Sequence, residues 1–282
     1  MGDLDRRIKL EQDVWDSVSD KQFSDESMLQ ITYPGYRERF NSSIENRYIY
    51  KFLGDVEGKK VLECGCGSGV MSVVFALGGA HVTAFDVSSN SLKVARRRAR
   101  YHGLEDRIDF SMAAAEHLCF SDETFDIVFG TAILHHVVLP LALGEMVRVL
   151  KPGGKAAFIE PLGTNPVLNF ARNHLPYPGK DEHGNDIPFT YREINLMRNY
   201  FSNLQFREFR LVAMLFQLVG RREETFDERL KQEAIQARIF RFADPLDTAV
   251  TTLFPFMRRF CQIVAVLCEK QEEISRTILK NP

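Results

Sequence analysis

Five cysteines, at positions 64, 66, 119, 261 and 268, are too few and too scattered for a disulfide framework. Their number is odd and they contain no C-x-x-C pair, which excludes a zinc ribbon and a dithiol redox site and leads one to expect a reducing compartment, the cytoplasm. Charge of one sign is lacking too: 36 lysines and arginines face 38 aspartates and glutamates, a net −2. Without a basic excess a nucleic-acid binder has no electrostatic footing. No run reads as a membrane span. The longest uncharged one, Ile127 to Gly144, holds His135, His136, Pro140 and two glycines, and fits a buried strand entering a loop. The opening MGDLDRRIKLEQD has no apolar stretch that a signal peptide would need. Repeats and low-complexity tracts are missing, and tryptophan occurs once, at Trp15.

What is present suffices for a large core, since 45% of the residues are hydrophobic. From about Lys59 the runs KKVLEC, HVTAFDV, RIDFSM, FDIVFG and KAAFIE alternate with helix-length segments such as NSLKVARRRARYHG. That rhythm predicts a parallel sheet covered by helices, an α/β fold. After Glu160 the rhythm changes: TYREINLMRNYFSN reads as helix, LQFREFRLVAMLF as a long apolar run with core residues, and CQIVAVLCEK as the last strand. Residues 1–45 precede the sheet and are expected to form a helical cap; residues 46–282 form the main domain, with a lid loop over about 162–191 and a helical insertion over about 218–258. Within that insertion Arg221 to Phe242 is a charged helix, either a solvated face or an oligomer contact. The RRRAR run at 96–100 reads as a solvated helix face.

The strongest local signal is VLECGCGSG. A strand ends at Glu63 and Cys64, and Gly65, Gly67 and Gly69 follow at alternate positions, opening a turn where a ligand meets bare backbone. Cys64 and Cys66 there are read as small packing residues or backbone donors. The next strand ends in Asp86, placed to accept both hydroxyls of a ribose. A dinucleotide fingerprint would require glycine at position 70, which is Val70, and no Walker lysine follows. Glu63 would repel a pyrophosphate and suit a cationic amino acid moiety. A nucleoside carrying positive charge is the expected ligand, and S-adenosylmethionine fits.

At this point the chain resembles the class I S-adenosylmethionine-dependent methyltransferases, in the branch of quinone-biosynthesis and natural-product enzymes. VLECGCGSG, AFDVSSNSLKVAR, AAAEHLCFSDETFDIVFGTAILHHV and RVLKPGGKAAFIE match the family's motifs in order over about residues 45–160. The resemblance implies a Rossmann-like, doubly wound, seven-stranded and mostly parallel sheet whose last strand is antiparallel. It implies cofactor contacts at Glu63, Gly65, Cys66, Gly67, Gly69, Asp86, Val87, Ser91, Ala114, Ala115, Glu116 and Thr131, with S-adenosylhomocysteine as product. An aromatic from Tyr33-Pro34-Gly35-Tyr36 would cover the cofactor or bind substrate. One position departs from the pattern: Ala114 stands where the family has the aspartate that meets adenine, which leaves that task to the backbone near Ala115 and Glu116 or to solvent.

For catalysis, in-line positioning of the reactants removes roughly 7–11 kcal/mol of barrier, more than a general base provides. Candidate bases are His136 beyond strand 4, Glu160 at the end of strand 5, and His183 in the loop Asp181-Glu182-His183; Tyr36 is a further candidate. His135 is the weaker of the paired histidines. No ligand spacing of a zinc site is visible, so no metal is expected. The absence of an Asn/Asp-Pro-Pro-Tyr motif after strand 4 argues with the charge balance against nucleic acid. Phe170, Phe189, Phe201, Phe216, Phe254 and Phe256 suggest a small apolar acceptor, aromatic or isoprenoid, although core packing explains them equally well. Two other readings stay open, a nicotinamide-dependent oxidoreductase and a silent cofactor-binding partner subunit. Residues 1–45 hold Val14, Trp15, Val18, Met28, Leu29, Ile31, Tyr33 and Tyr36, which predicts a lid docked by a face of Val14 and Val18 with Trp15 beside it, on this subunit or on a neighbouring copy.

Overall fold

The computed structural model describes residues 2–22, 29–174, 188–212 and 226–271. Three helices come first: α1 (Asp3–Gln22), α2 (Tyr36–Asn41) and α3 (Ile44–Leu53). The alternating part then runs β1 (Lys60–Cys64), α4 (Val70–Leu77), β2 (His81–Asp86), α5 (Ser89–Tyr101), β3 (Ile108–Met112), β4 (Phe125–Thr131), α6 (Leu139–Val149) and β5 (Leu150–Pro161). It is followed by α7 (Pro166–His174), α8 (Tyr191–Met197), β6 (Ser202–Phe209), α9 (Phe226–Leu253) and β7 (Ile263–Glu269).

The strands form one seven-stranded sheet in the order β3-β2-β1-β4-β5-β7-β6. β7 runs antiparallel to both its neighbours, and the β1, β2, β3, β4 and β5 pairings are parallel. Because both faces are covered, the central strands are apolar at successive positions rather than alternating. In β1, Val61 packs with α3, α4 and α5, whereas Leu62 packs on the opposite side with α6 and α8. Between β1 and β4 the order of strands reverses, and a crevice opens there at their carboxyl ends, the usual ligand position in such sheets.

α5 shows how helix and sheet meet. Its Arg96, Arg97 and Arg100 are exposed, but Arg98 is fully buried, which corrects the reading of RRRAR as a uniformly solvated face. Arg98 donates from Nε to the Leu29 carbonyl at 3.1 Å and from Nη1 to the Ser68 carbonyl, tying the segment before α2 to the glycine-rich turn. The guanidinium is buried because backbone carbonyls, which carry no formal charge, are there to receive it. The charged helix expected over 221–242 is α9 in its described part; it runs on to Leu253 with Pro245 inside.

Gly69 starts α4 at φ +76°, and a Cβ there would lie 2.8 Å from the Ala95 Cβ and 3.0 Å from its Cα. Left-handed backbone costs an L-residue roughly 1–2 kcal/mol and overpacking a further 1–3 kcal/mol. Gly69→Val is therefore expected to destabilise by about 2–5 kcal/mol in urea denaturation. A loss below about 1 kcal/mol would mean that α4 and α5 separate more easily than their packing implies.

Candidate active site

Three strand ends build the crevice. β1 delivers the turn Gly65-Cys66-Gly67-Ser68-Gly69, β2 delivers Asp86, and β4 delivers Thr131 and the histidine loop. Asp86 accepts the Gly67 amide on Oδ2 at 2.8 Å and the Ser88 amide on Oδ1 at 2.9 Å. It thereby fixes the middle of the glycine turn. Burial pushes its carboxyl above the ordinary aspartate value, and the amides of Ser88, Gly67 and Val87 work against that rise. A carboxylate has about four acceptor sites, so these amides still leave capacity for ligand hydroxyls. Gly67 sits at φ +51°, and nothing lies within 4 Å of where its Cβ would be, so the turn presents open space and bare backbone on that side.

Glu63 lies beneath this turn, 4% exposed, with the Ser72 hydroxyl donating to its Oε2. Desolvation pushes its carboxyl up to about 8, with the Ser72 bond only partly offsetting it. The thiols of Cys64 and Cys66 are likewise pushed well above the ordinary range by burial, so both are inert packing groups at neutral pH.

The loop after β4 turns at Ala132, whose φ is +53° and whose amide donates to the Ile159 carbonyl at 2.8 Å. Glu160, wholly buried at the end of β5, accepts the amides of Ile133 (3.0 Å) and Leu134 (2.9 Å) and bonds His135 Nδ1 at 2.6 Å. The two histidines thus take different places: His135 turns inward to Glu160, and His136 faces the crevice.

Helix α1 closes the crevice. Arg7, Ile8, Glu11 and Trp15 project from one of its faces and, with Gly65, Gly67, Phe85, Asp86, Val87 and Ser91 from the β1 and β2 side, enclose a cavity of about 240 Å³. Ala113, Ala115 and Glu116 after β3 and Thr131 to Ile133, His136 and Val137 after β4 complete the wall. Asp16 fastens the helix: its Oδ1 accepts the Ser88 hydroxyl at 2.6 Å and the Asn90 amide at 3.0 Å, at the positive end of α5. Trp15 meets His136 edge-on with ring centroids 5.5 Å apart.

The predicted residues therefore divide. Gly65, Gly67, Asp86, Val87, Ser91, Ala115, Glu116, Thr131 and His136 line one cavity. Glu63, Cys66, Gly69 and Ala114 support the turns behind it, and the Ala114 carbonyl accepts the His117 amide. Glu160 anchors the loop by the bonds given above and does not reach the cavity. Tyr36 is a core residue: its hydroxyl donates to the Gly54 carbonyl at 3.1 Å and its ring packs on Phe40, Tyr50 and Phe75. Tyr33 lies under the Arg39 guanidinium, away from the cavity. Asp181, Glu182, His183 and Phe216 fall outside the described residues, as does the side chain of Val18. Phe189 and Phe201 are core, whereas Phe170, Phe254 and Phe256 are exposed. No group of three or more His, Cys, Asp or Glu side chains suited to a metal ion occurs among the described residues, and none of their helices is long and apolar enough to cross a membrane.

Sequence reasoning missed Arg7 and Glu11. It set the docking face at Val14 and Val18 with Trp15 beside it; of these Trp15 lines the cavity, together with Arg7, Ile8 and Glu11. The 7, 11, 15 spacing was readable as one helix face; its polar members hid it.

Residues 62–158 match the family model described as a methyltransferase domain. The chain is 40% identical over 114 residues to methyltransferase GfsG of Streptomyces halstedii, covering 40% of this chain and 41% of that one. It is 42% identical over 126 residues to demethylmenaquinone methyltransferase of Clavibacter sepedonicus, covering 44% and 50%. The matches thus span about half the length or less of these curated relatives. Among solved structures, geranyl diphosphate C-methyltransferase from Streptomyces coelicolor A3(2) shares the fold, with a TM-score of 0.55 at 15% identity, covering 83% of this chain and 77% of that one.

Glu63 gives a pH signature. Between about 4.5 and about 8 the folded protein keeps a proton on Glu63 that the unfolded chain has released, so its contribution is full below that window and is lost as pH rises through it. Glu63→Gln, which keeps the shape and a partner for Ser72, is expected to flatten the fall in stability by a few kcal/mol, because one proton held across one pH unit is worth about 1.4 kcal/mol. Urea denaturation at pH 5, 6.5 and 8 reads this, and equal slopes for both proteins would refute a neutral Glu63.

Proposed function

Since residues 62–158 match a methyltransferase domain, we propose that the chain transfers a methyl group from S-adenosylmethionine to a small, apolar metabolite. The observation that carries this reading is one cavity shared by the open turn at Gly67, the Asp86 carboxylate and His136. The residues fit the donor. Asp86 keeps acceptor capacity for ribose hydroxyls beyond the amides it holds, and the open side of Gly67 has room for the amino acid portion. Ala115 and Glu116 line the same cavity and are the residues we assign to adenine, with one Glu116 oxygen occupied by the Val138 amide at 2.7 Å. When bound, S-adenosylmethionine supplies an electrophilic methyl on a sulfonium sulfur.

The chain's own part is alignment and exclusion of water. Ile8 and Trp15 from α1, with Phe85, Ile133 and Val137, give the cavity apolar walls suited to an aromatic or isoprenoid acceptor. The relative named for demethylmenaquinone supports the same class. Residues 1–45 act as the cover that holds donor and acceptor together, with α1 as its working part. A nicotinamide cofactor has less support, because position 70 is valine and the matched domain is a methyltransferase one.

Two measurements test the proposal. Asp86→Ala should weaken S-adenosylhomocysteine binding ten- to a hundredfold in calorimetry, about 1.5–3 kcal/mol for a charge-assisted pair of hydrogen bonds. An unchanged dissociation constant would refute the ribose assignment. Deleting residues 1–22 should leave a cooperative melting transition and weaken the same ligand at least tenfold. Full affinity in that truncation would remove α1 from the site.

A further inference from the structure

A cover needs only apolar surface, yet α1 also carries charge to one histidine. Arg7 Nη2 donates to the carbonyls of His136 (3.2 Å) and Val137 (3.4 Å), and Glu11 Oε2 lies 3.3 Å from His136 Nδ1, an ion-pair contact without the alignment of a hydrogen bond. Trp15 supports the same ring from the next turn. Both partners are shielded, the Glu11 side chain being 11% and the His136 side chain 17% exposed. A carboxylate moved out of water into such a place is unfavourable unless a partner uses it. Leucine at position 11 would cover the cavity without that cost.

We infer that Glu11 is a positioning residue for His136. Its negative charge beside Nδ1 favours the ring proton there, which sets the tautomer and leaves Nε2 of this cavity-lining ring as the proton acceptor. This rests on the methyl-transfer reading and refines its substrate class: a base is required only by an acceptor that must lose a proton, so the acceptor is an apolar molecule bearing an acidic hydroxyl, a phenol or an enol. In the transfer, the hydroxyl oxygen bonds the methyl carbon while its proton passes to Nε2. The carbon–sulfur bond breaks with its electron pair going to sulfur, and Glu11 balances the imidazolium. The other charged or titratable groups around His136 are Arg7 on α1, His135 with its Glu160, 4.0 Å away between ring centroids, Glu116 after β3 and Asp86 at the end of β2.

The test is ligand-free and so fails separately from cofactor binding. Histidine ring ¹⁵N NMR on the full chain, assigned with His136→Gln, should show the neutral His136 ring protonated on Nδ1. Glu11→Gln should shift the ring toward the Nε2–H form and lower the His136 pKa by about one unit, whereas Glu11→Asp should restore much of both. Arg7→Gln should move the pKa upward. Simple undocking of α1 would move both variants in the same direction, which would overturn the proposal, as would a wild-type ring protonated on Nε2 or a Glu11→Gln titration equal to wild type.

Discussion

Glu160 fixes the direction in which the chain leaves β4. Its carboxylate is wholly buried and satisfied by two consecutive amides and His135. An unpaired carboxylate at that depth would be too costly to keep, so the loop has to bend to meet it. The bend at Ala132, with φ +53°, is the backbone response. Once Ile133 and Leu134 are pinned, His136 is carried to the crevice, and with it the surface that α1 covers. The wall of the cavity on this side therefore derives from one acid at the end of the neighbouring strand.

On the opposite wall the same device is repeated with different groups. Asp86 reaches across to the Gly67 amide, and Arg98 holds the Ser68 carbonyl from behind. An acid and a base clamp adjacent residues of a turn that has few side chains of its own to pack. Glycine makes the turn geometrically accessible but leaves it entropically loose. The clamps supply the rigidity that a pre-organised ligand site needs.

Much of this was legible in the sequence where the signal is local. The strand rhythm from Lys59 to Glu160, the Gly65-Gly67-Gly69 spacing and Asp86 at a strand end all depend on neighbours a few residues apart, and the structure places each accordingly. What was not legible involves partners distant in sequence. Nothing near Arg98 announces that Leu29 and Ser68 will offer it carbonyls. Tyr36 beside a Pro-Gly turn reads as a ligand contact, but Phe40, Tyr50 and Phe75 claim it for the core. Only Trp15 of the cavity face of α1 was found, because hydrophobic periodicity finds apolar seams, and this one also includes an arginine and an acid.

The chain order of α1 and its partners has a consequence for synthesis. The helix leaves the ribosome well before the groups that receive it, Ser88, Asn90 and His136. Until then it has no surface to dock on, and at ordinary elongation rates that interval lasts several seconds. A strongly apolar helix would be exposed to aggregation or chaperone capture for that time. The arginine, the acid and the aspartates that make α1 hard to recognise as a cover also keep it soluble while it waits, so its docking is a late step that follows completion of the sheet's first half.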